Sequence, residues 1–208
     1  IEGRVLQIGL SIGIAIMDSE TLKSEEIMHR ADLALYRAKD EGRNRYQTFD
    51  SGMENGEMIR KTLVNDLAEA LDKHELEVHF QPVINASSLE VQSMEALVRW
   101  THKIRGVINP SEFIPIAEEA GLIHQLGEFV LRQACINAMK WPDFVKVSVN
   151  LSSFQFRTPQ LLSTVVNVLN ESGLPAQRLE LEVTESVLTG YKYDNVKTLT
   201  QLHERGVS

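Results

Sequence analysis

FVKVSVNLSSFQFRTPQLLSTVVNVLNESGLPAQRLELEVTE, residues 144–185, decides the architecture of most of this chain. Phe144–Leu151 reads as a strand, Pro159–Glu171 as a helix and Leu179–Thr184 as a second strand. Working outward, Asn195–Arg205 reads as a further helix with Gly206 as its C-cap, and Val207-Ser208 as the first steps of another strand. Upstream, Glu75–Ile84 and Val91–Trp100 are strand-like and separated by a turn rich in Asn and Ser. Pro110 opens a helix that Gly121 stops. Leu122–Lys140 is a long amphipathic helix using Leu122, Leu126, Phe129, Val130, Ala134 and Ala138. Strands alternating with helices predict an α/β domain with a parallel sheet. A closed (β/α)₈ barrel takes about 250 residues, so four strands with three crossovers do not close one by themselves.

The first quarter has a different rhythm. Val5–Ile16 reads as a strand interrupted by Gly9 and Gly13. Ser24–Glu41 carries a helical stripe of Ile27, Ala31, Leu33, Ala34, Leu35 and Ala38, with Ser24 as N-cap, and Arg45–Phe49 reads as a short closing strand. Asp50–Gly56 is polar, holds two glycines and reads as a domain boundary. Met58–Lys73 is a second amphipathic helix, a connector or the first helix of the next domain.

Composition excludes several classes. Hydrophobic residues make up 43% of the 208 and charged residues 24%, enough for a packed core. A net charge of −8 argues against coating a nucleic acid polymer or an anionic membrane, so an anionic ligand needs a metal or a few placed basic side chains. The single cysteine, Cys135, reads as a small buried hydrophobe and allows no internal disulfide, which fits a reducing cytosol. No apolar run reaches the ~20 residues of a membrane span, so any anchor lies outside this segment. Both ends read as cut, and Ile1-Glu2-Gly3-Arg4 reads as native sequence leading into the first strand rather than a protease site from cloning.

Polar oxygen donors recur at strand ends. Glu95 lies near the end of the second of the four strands, Asn150 ends the third, and Glu182 and Glu185 bracket the end of the fourth. Active sites of α/β barrels assemble there. Carboxylates with an amide oxygen form a hard donor set suited to Mg²⁺ or Mn²⁺, able to hold a divalent pair, activate water and neutralise a phosphodiester. From spacing alone, solvated strand-end charges explain the same residues. The six histidines, His29, His74, His79, His102, His124 and His203, are scattered without zinc-type spacing and read as structural or surface residues.

Longer motifs go further. Ser11-Ile12-Gly13-Ile14-Ala15, Arg30–Lys39 (RADLALYRAK) and Gly42-Arg43-Asn44-Arg45-Tyr46 resemble the C-terminal part of a GGDEF (diguanylate cyclase) domain. From about Val64 onward the chain resembles the EAL domain. Phe80-Gln81-Pro82-Val83, Met94–Trp100 (MEALVRW), Gly106-Val107-Ile108 with Pro110, Phe113–Glu119 (FIPIAEE), Val149-Asn150-Leu151-Ser152 with Gln155-Phe156, and Leu181–Glu185 (LEVTE) follow its pattern in order. The resemblance implies residues 1–50 from a GGDEF domain, 51–63 as linker and start of a connecting helix, and 64–208 as the N-terminal half of an EAL domain. The implied fold class is α/β, a partial TIM-like barrel preceded by the strand–helix–strand end of an α+β domain.

It also implies roles. Glu95, Asn150 and Glu182 match metal ligands, with Glu95 also catalytic. Gln81, Leu97 and Arg99 match contacts to cyclic-di-GMP, and Glu185 matches a catalytic-site glutamate supporting the loop that carries the next ligands. Lys39 and Arg43 match contacts to GTP phosphates in an intact GGDEF domain; they are read as four apart on one helix face, a solvated face being the other reading. Glu118 and Glu119 receive no catalytic role, a solvated helix face accounting for them. The implied activity of the parent protein is metal-dependent hydrolysis of cyclic-di-GMP to linear pGpG, with Mg²⁺ or Mn²⁺. A homodimer is implied too, in the cytoplasm, with the parent anchored in the inner membrane only through segments outside this chain. An Asp-Asp-Phe-Gly-type loop, a lysine, a further glutamate and a glutamine of the pattern are not among the 208 residues, so the segment itself is expected to be inactive. The alternatives are a receptor that binds cyclic-di-GMP without cleaving it, and a parent dominated by cyclase activity.

Overall fold

The computed structural model describes residues 8–17, 24–73, 75–183 and 193–208. The chain forms two compact units, Ile1–Leu63 and Val64–Ser208.

In the first unit, β1 (Ile12–Ile14) and β2 (Tyr46–Thr48) pair in parallel, and α1 (Ser24–Asp40) makes the crossover. The expected strand Val5–Ile16 is thus reduced to three paired residues, its start lying outside the described residues. Helix α1 lies directly on β1. A Cβ at Gly13 would fall inside the backbone of Ala31 and Leu35, so only glycine permits this approach. After α1 the chain reverses through Gly42, Arg43 and Asn44, all with positive φ. Asn44 is fastened to the strand side, its N–H donating to Ser11 Oγ at 3.1 Å.

Ser51–Gly56 is helical, contrary to the reading of Asp50–Gly56 as an irregular boundary. Helix α2 spans Ser51–Asp72. The Asp50 carboxylate accepts from the Gly52 N–H at 2.8 Å, the bond an N-cap makes, and this start offsets two weak helix formers at 52 and 56.

The second unit holds a sheet in the order β3-β4-β6-β7, with β3 Leu76–Ile84, β4 Val91–His102, β6 Lys146–Leu151 and β7 Leu179–Val183; β5 (Gly106–Ile108) folds back on the end of β4. The sheet is not all-parallel as expected. Strand β3 runs antiparallel to β4, because residues 85–90 make a tight hairpin and no crossover intervenes. Asn85 builds that turn, its Oδ1 accepting from Ser87 and Ser88. Strands β4, β6 and β7 are parallel, joined by α3 (Pro110–Glu119), α4 (Ile123–Ala138) and α5 (Gln160–Ser172); α6 (Tyr193–His203) follows β7. Ser208 then exchanges backbone hydrogen bonds with Leu179 and Leu181, so residues after Gly206 pair with β7 as expected of a strand.

The core lies on one face of this sheet. Ala96, Val98, Trp100, Val147, Val149 and Leu151 are buried there with Phe113 of α3 and Leu131, Ala134 and Cys135 of α4. Trp100 meets Phe113 edge-on at 5.6 Å, and Phe80 meets Trp141 at 5.0 Å. Arg178, also buried, gathers the carbonyls of Ala138, Pro142 and Val145 where β6 and β7 begin. No helix among the described residues is long and apolar enough to cross a membrane.

Candidate functional site

The opposite face of the same sheet is polar. Side chains alternate along a strand, so Ser93, Glu95, Leu97 and Arg99 of β4 share it, as do Lys146, Ser148 and Asn150 of β6 and Glu180 and Glu182 of β7. Cross-strand register completes the map. Glu95 stands opposite Gln81 on one side and Ser148 on the other, and Asn150 stands opposite Glu182.

Asn150 and Glu95, 55 residues apart in sequence, touch. Asn150 Nδ2 donates to Glu95 Oε1 at 2.8 Å. Turning the amide over places Oδ1 at that point, a choice fixed by the hydrogen-bond network alone. In that orientation Asn150 Oδ1 and a Glu95 carboxylate oxygen would both be offered to a divalent cation. Glu182 is the neighbouring donor across β6 and β7 and is exposed. The donor set therefore fits a hard divalent cation in type. It is a partial set: among the described residues no cluster of three or more His, Cys, Asp or Glu side chains is arranged to hold a metal.

Gln81, Leu97 and Arg99 fall on this face too. Gln81 is exposed, and half-buried Arg99 donates through Nη1 to the Val98 carbonyl at 2.9 Å. Glu185 lies outside the described residues, as does His74. Lys39 and Arg43 are both exposed but do not share a helix face: α1 ends at Asp40, and Arg43 sits beyond it with φ 60°. The premise of one helix face is wrong because Gly42 turns the chain before Arg43 is reached. Neighbouring Glu41 is held below the usual carboxylate range, first by its hydrogen bond from Arg37, with Gln47 and Arg45 adding to it.

Several members of the face escaped the sequence reading. Lys146 Nζ pairs with Glu180 Oε1 at 2.8 Å, and Ser148, 2% exposed, holds a hydroxyl with no hydrogen-bond partner among the described residues. In register, Ser148 stands between Glu95 on β4 and Glu180 on β7. Glu118, read as a solvated helix residue, accepts from Ser152 Oγ at 2.6 Å, tying α3 to the turn that follows Asn150. Ser152 and Gln155 cap that turn reciprocally. His79 also lies on this face, opposite Leu97. The usable signal was phase: each of 79, 146, 148 and 180 is an even number of residues from a donor already noted on its own strand. A cavity of about 410 Å³ lies elsewhere, lined by His124, Gln155, Thr158 and Leu161, and none of the candidate residues among those described borders it.

Residues 64–208 match the EAL domain family model and residues 1–45 match that of the diguanylate cyclase, GGDEF domain. The chain is 39% identical over 206 residues to the bifunctional diguanylate cyclase/cyclic di-GMP phosphodiesterase MucR of Pseudomonas aeruginosa, covering 97% of this chain and 30% of that protein. It is 34% identical over 216 residues to the cyclic di-GMP phosphodiesterase NbdA of the same organism, covering 100% and 27%. The solved PaMucR phosphodiesterase, a c-di-GMP complex, superposes with a TM-score of 0.67 at 38% identity, covering 71% of this chain and 61% of that one. The chain thus spans between a quarter and a third of the curated relatives it matches.

Proposed function

This chain belongs to the EAL domain family, and we propose that the polar face of its sheet, where Glu95 lies within β4 rather than near its end as expected, is the first part of a site where the whole protein hydrolyses cyclic-di-GMP to linear pGpG. The observation that carries the reading is the Asn150–Glu95 contact at 2.8 Å, with Glu182 as the next donor across the sheet. In this reading Glu95, Asn150 and Glu182 hold Mg²⁺ or Mn²⁺. When bound, that ion supplies Lewis-acid polarisation of the phosphodiester and a more acidic water. Arg99 presents a planar fork of donors to a phosphate oxygen, Leu97 gives apolar contact, and Gln81 offers an amide to the base or phosphate. By the family resemblance, Glu185 takes the role of supporting the loop that carries the next metal ligands.

The division into residues 1–50 from a GGDEF domain, a connector over 51–63 and an EAL part over 64–208 belongs to the same proposal. The contact units meeting at Leu63 and Val64 support it. Lys39 and Arg43 contact GTP phosphates in an intact GGDEF domain, Arg43 from the turn rather than the helix. A homodimer working in the cytoplasm completes the reading.

The test is titration of this chain with Mn²⁺, followed by spin resonance, beside Glu95→Gln and Asn150→Ala. Saturable binding by the native chain and its loss in both variants is the expected result. Binding that survives both substitutions places the metal elsewhere and ends the reading. The same samples, given cyclic-di-GMP, are expected to show no pGpG.

A further inference from the structure

We propose that His79 is a further ligand-binding residue on this face, donating a hydrogen bond to a phosphodiester oxygen of the bound cyclic dinucleotide; this rests on the reading of the face as a cyclic-di-GMP site. The antiparallel register of β3 and β4 sets out three successive rungs on the polar face: Gln81 opposite Glu95, His79 opposite Leu97, and Glu77 opposite Arg99. Directly opposed side chains lie on the same side, about 5 Å apart. Successive same-side rungs are about 7 Å apart along the strands. Gln81 and Arg99 therefore occupy opposite corners of a patch about 14 Å long. A ligand that touches both corners crosses the middle rung, and the members of that rung are Leu97 and His79.

Charge points the same way. The patch carries Glu77 and Glu95, which repel a phosphodiester, and Arg99 is the one lysine or arginine in the sequences of β3 and β4. A dianionic ligand lying along the patch needs a second donor between Arg99 and the metal-ligand pair. The His79 side chain is 60% exposed and, among the described residues, makes one polar contact, Nε2 to Glu77 Oε2 at 3.3 Å. The other histidine of these strands is committed elsewhere. His102 lies on the opposite phase, where its Nδ1 accepts from the Ile104 and Arg105 amides and its Nε2 faces Asp66 Oδ2 at 3.2 Å.

The experiment is calorimetric titration of this chain with cyclic-di-GMP in the presence of Mn²⁺, comparing native protein, Arg99→Ala, His79→Ala and His79→Gln. Arg99→Ala is expected to weaken binding at least tenfold. His79→Ala is expected to weaken it about fivefold, the scale of one lost hydrogen bond, at an unchanged thermal midpoint. His79→Gln keeps a donor at similar reach and should recover most of that loss. Native-like binding by His79→Ala, beside a weakened Arg99→Ala, overturns the assignment and leaves the reading of the face standing. Equal loss in the alanine and glutamine variants also overturns it, since a donor would then not be what matters. Failure of the native chain to bind the dinucleotide removes the reading of the face, and this assignment with it.

Discussion

The two faces of the β3-β4-β6-β7 sheet are built from the same strands, residue by alternate residue, and differ in everything else. One face is Ala96, Val98, Trp100, Val147, Val149 and Leu151, buried under α3 and α4. The other is Gln81, Glu95, Arg99, Asn150 and Glu182, exposed or half-buried and hydrogen-bonded to one another where they touch. The first face supplies the burial that makes the fold stable. The second face concentrates carboxylates, an arrangement that self-repels without a cation and contributes little to stability. What the difference teaches is that a one-residue slip of register would exchange the faces, so the pairing that seals the core also aims the site.

Breaking the buried face should give the largest effect. Trp100 is fully buried against Phe113, and Trp100→Ala is expected to lower unfolding stability by about 4 kcal/mol, read by denaturant melts. Breaking the open face should leave the melt alone and show elsewhere. Glu95→Gln removes one carboxylate oxygen's charge from the cation position and is expected to weaken Mn²⁺ binding about 100-fold, at equal or slightly raised stability. A fall in stability comparable to that of Trp100→Ala would mean the two faces are not separable. Arg99→Lys sharpens the point further. It keeps the charge but loses the planar fork, so cyclic-di-GMP affinity should fall by about fivefold with no change in the melt.

The smallest effect tests the core from within. Burial on α4 pushes the Cys135 thiol up to about 12 from its ordinary 9.0, so it stays protonated in the folded chain. A thiol reagent at pH 8 should label it only as fast as the protein unfolds. The unfolded chain loses this proton first, so stability owes nothing to the group below about pH 9. It should then decline between 9 and about 12 as ionisation favours the unfolded state. Fast labelling in the native protein would show that the helix-covered face opens.

Much of this was legible in sequence where periodicity was strong. The strands around Glu95, Asn150 and Glu182 and the helices between them follow from apolar spacing, and long ordered motifs identified the family. Legibility failed where a local rule was outvoted. Gly52 and Gly56 read as breakers, yet Asp50 caps a helix that runs through both. Lys39 and Arg43 read as helical neighbours, but positive φ at residues 42–44 takes Arg43 off the helix. The antiparallel entry of β3 was implicit in a six-residue connection too short for a crossover, and the expectation of a parallel sheet passed over it.

By itself the sequence determined the kinds of element, the hard-oxygen character of the candidate donors and the family, because each is a matter of residue type and spacing along the chain. Only the tertiary structure decided which of those residues meet. Asn150 reaches Glu95 across 55 residues, Ser152 reaches Glu118, and His79 lands beside Leu97, because strand register is fixed by pairing and burial summed over the whole sheet. No local stretch carries that sum.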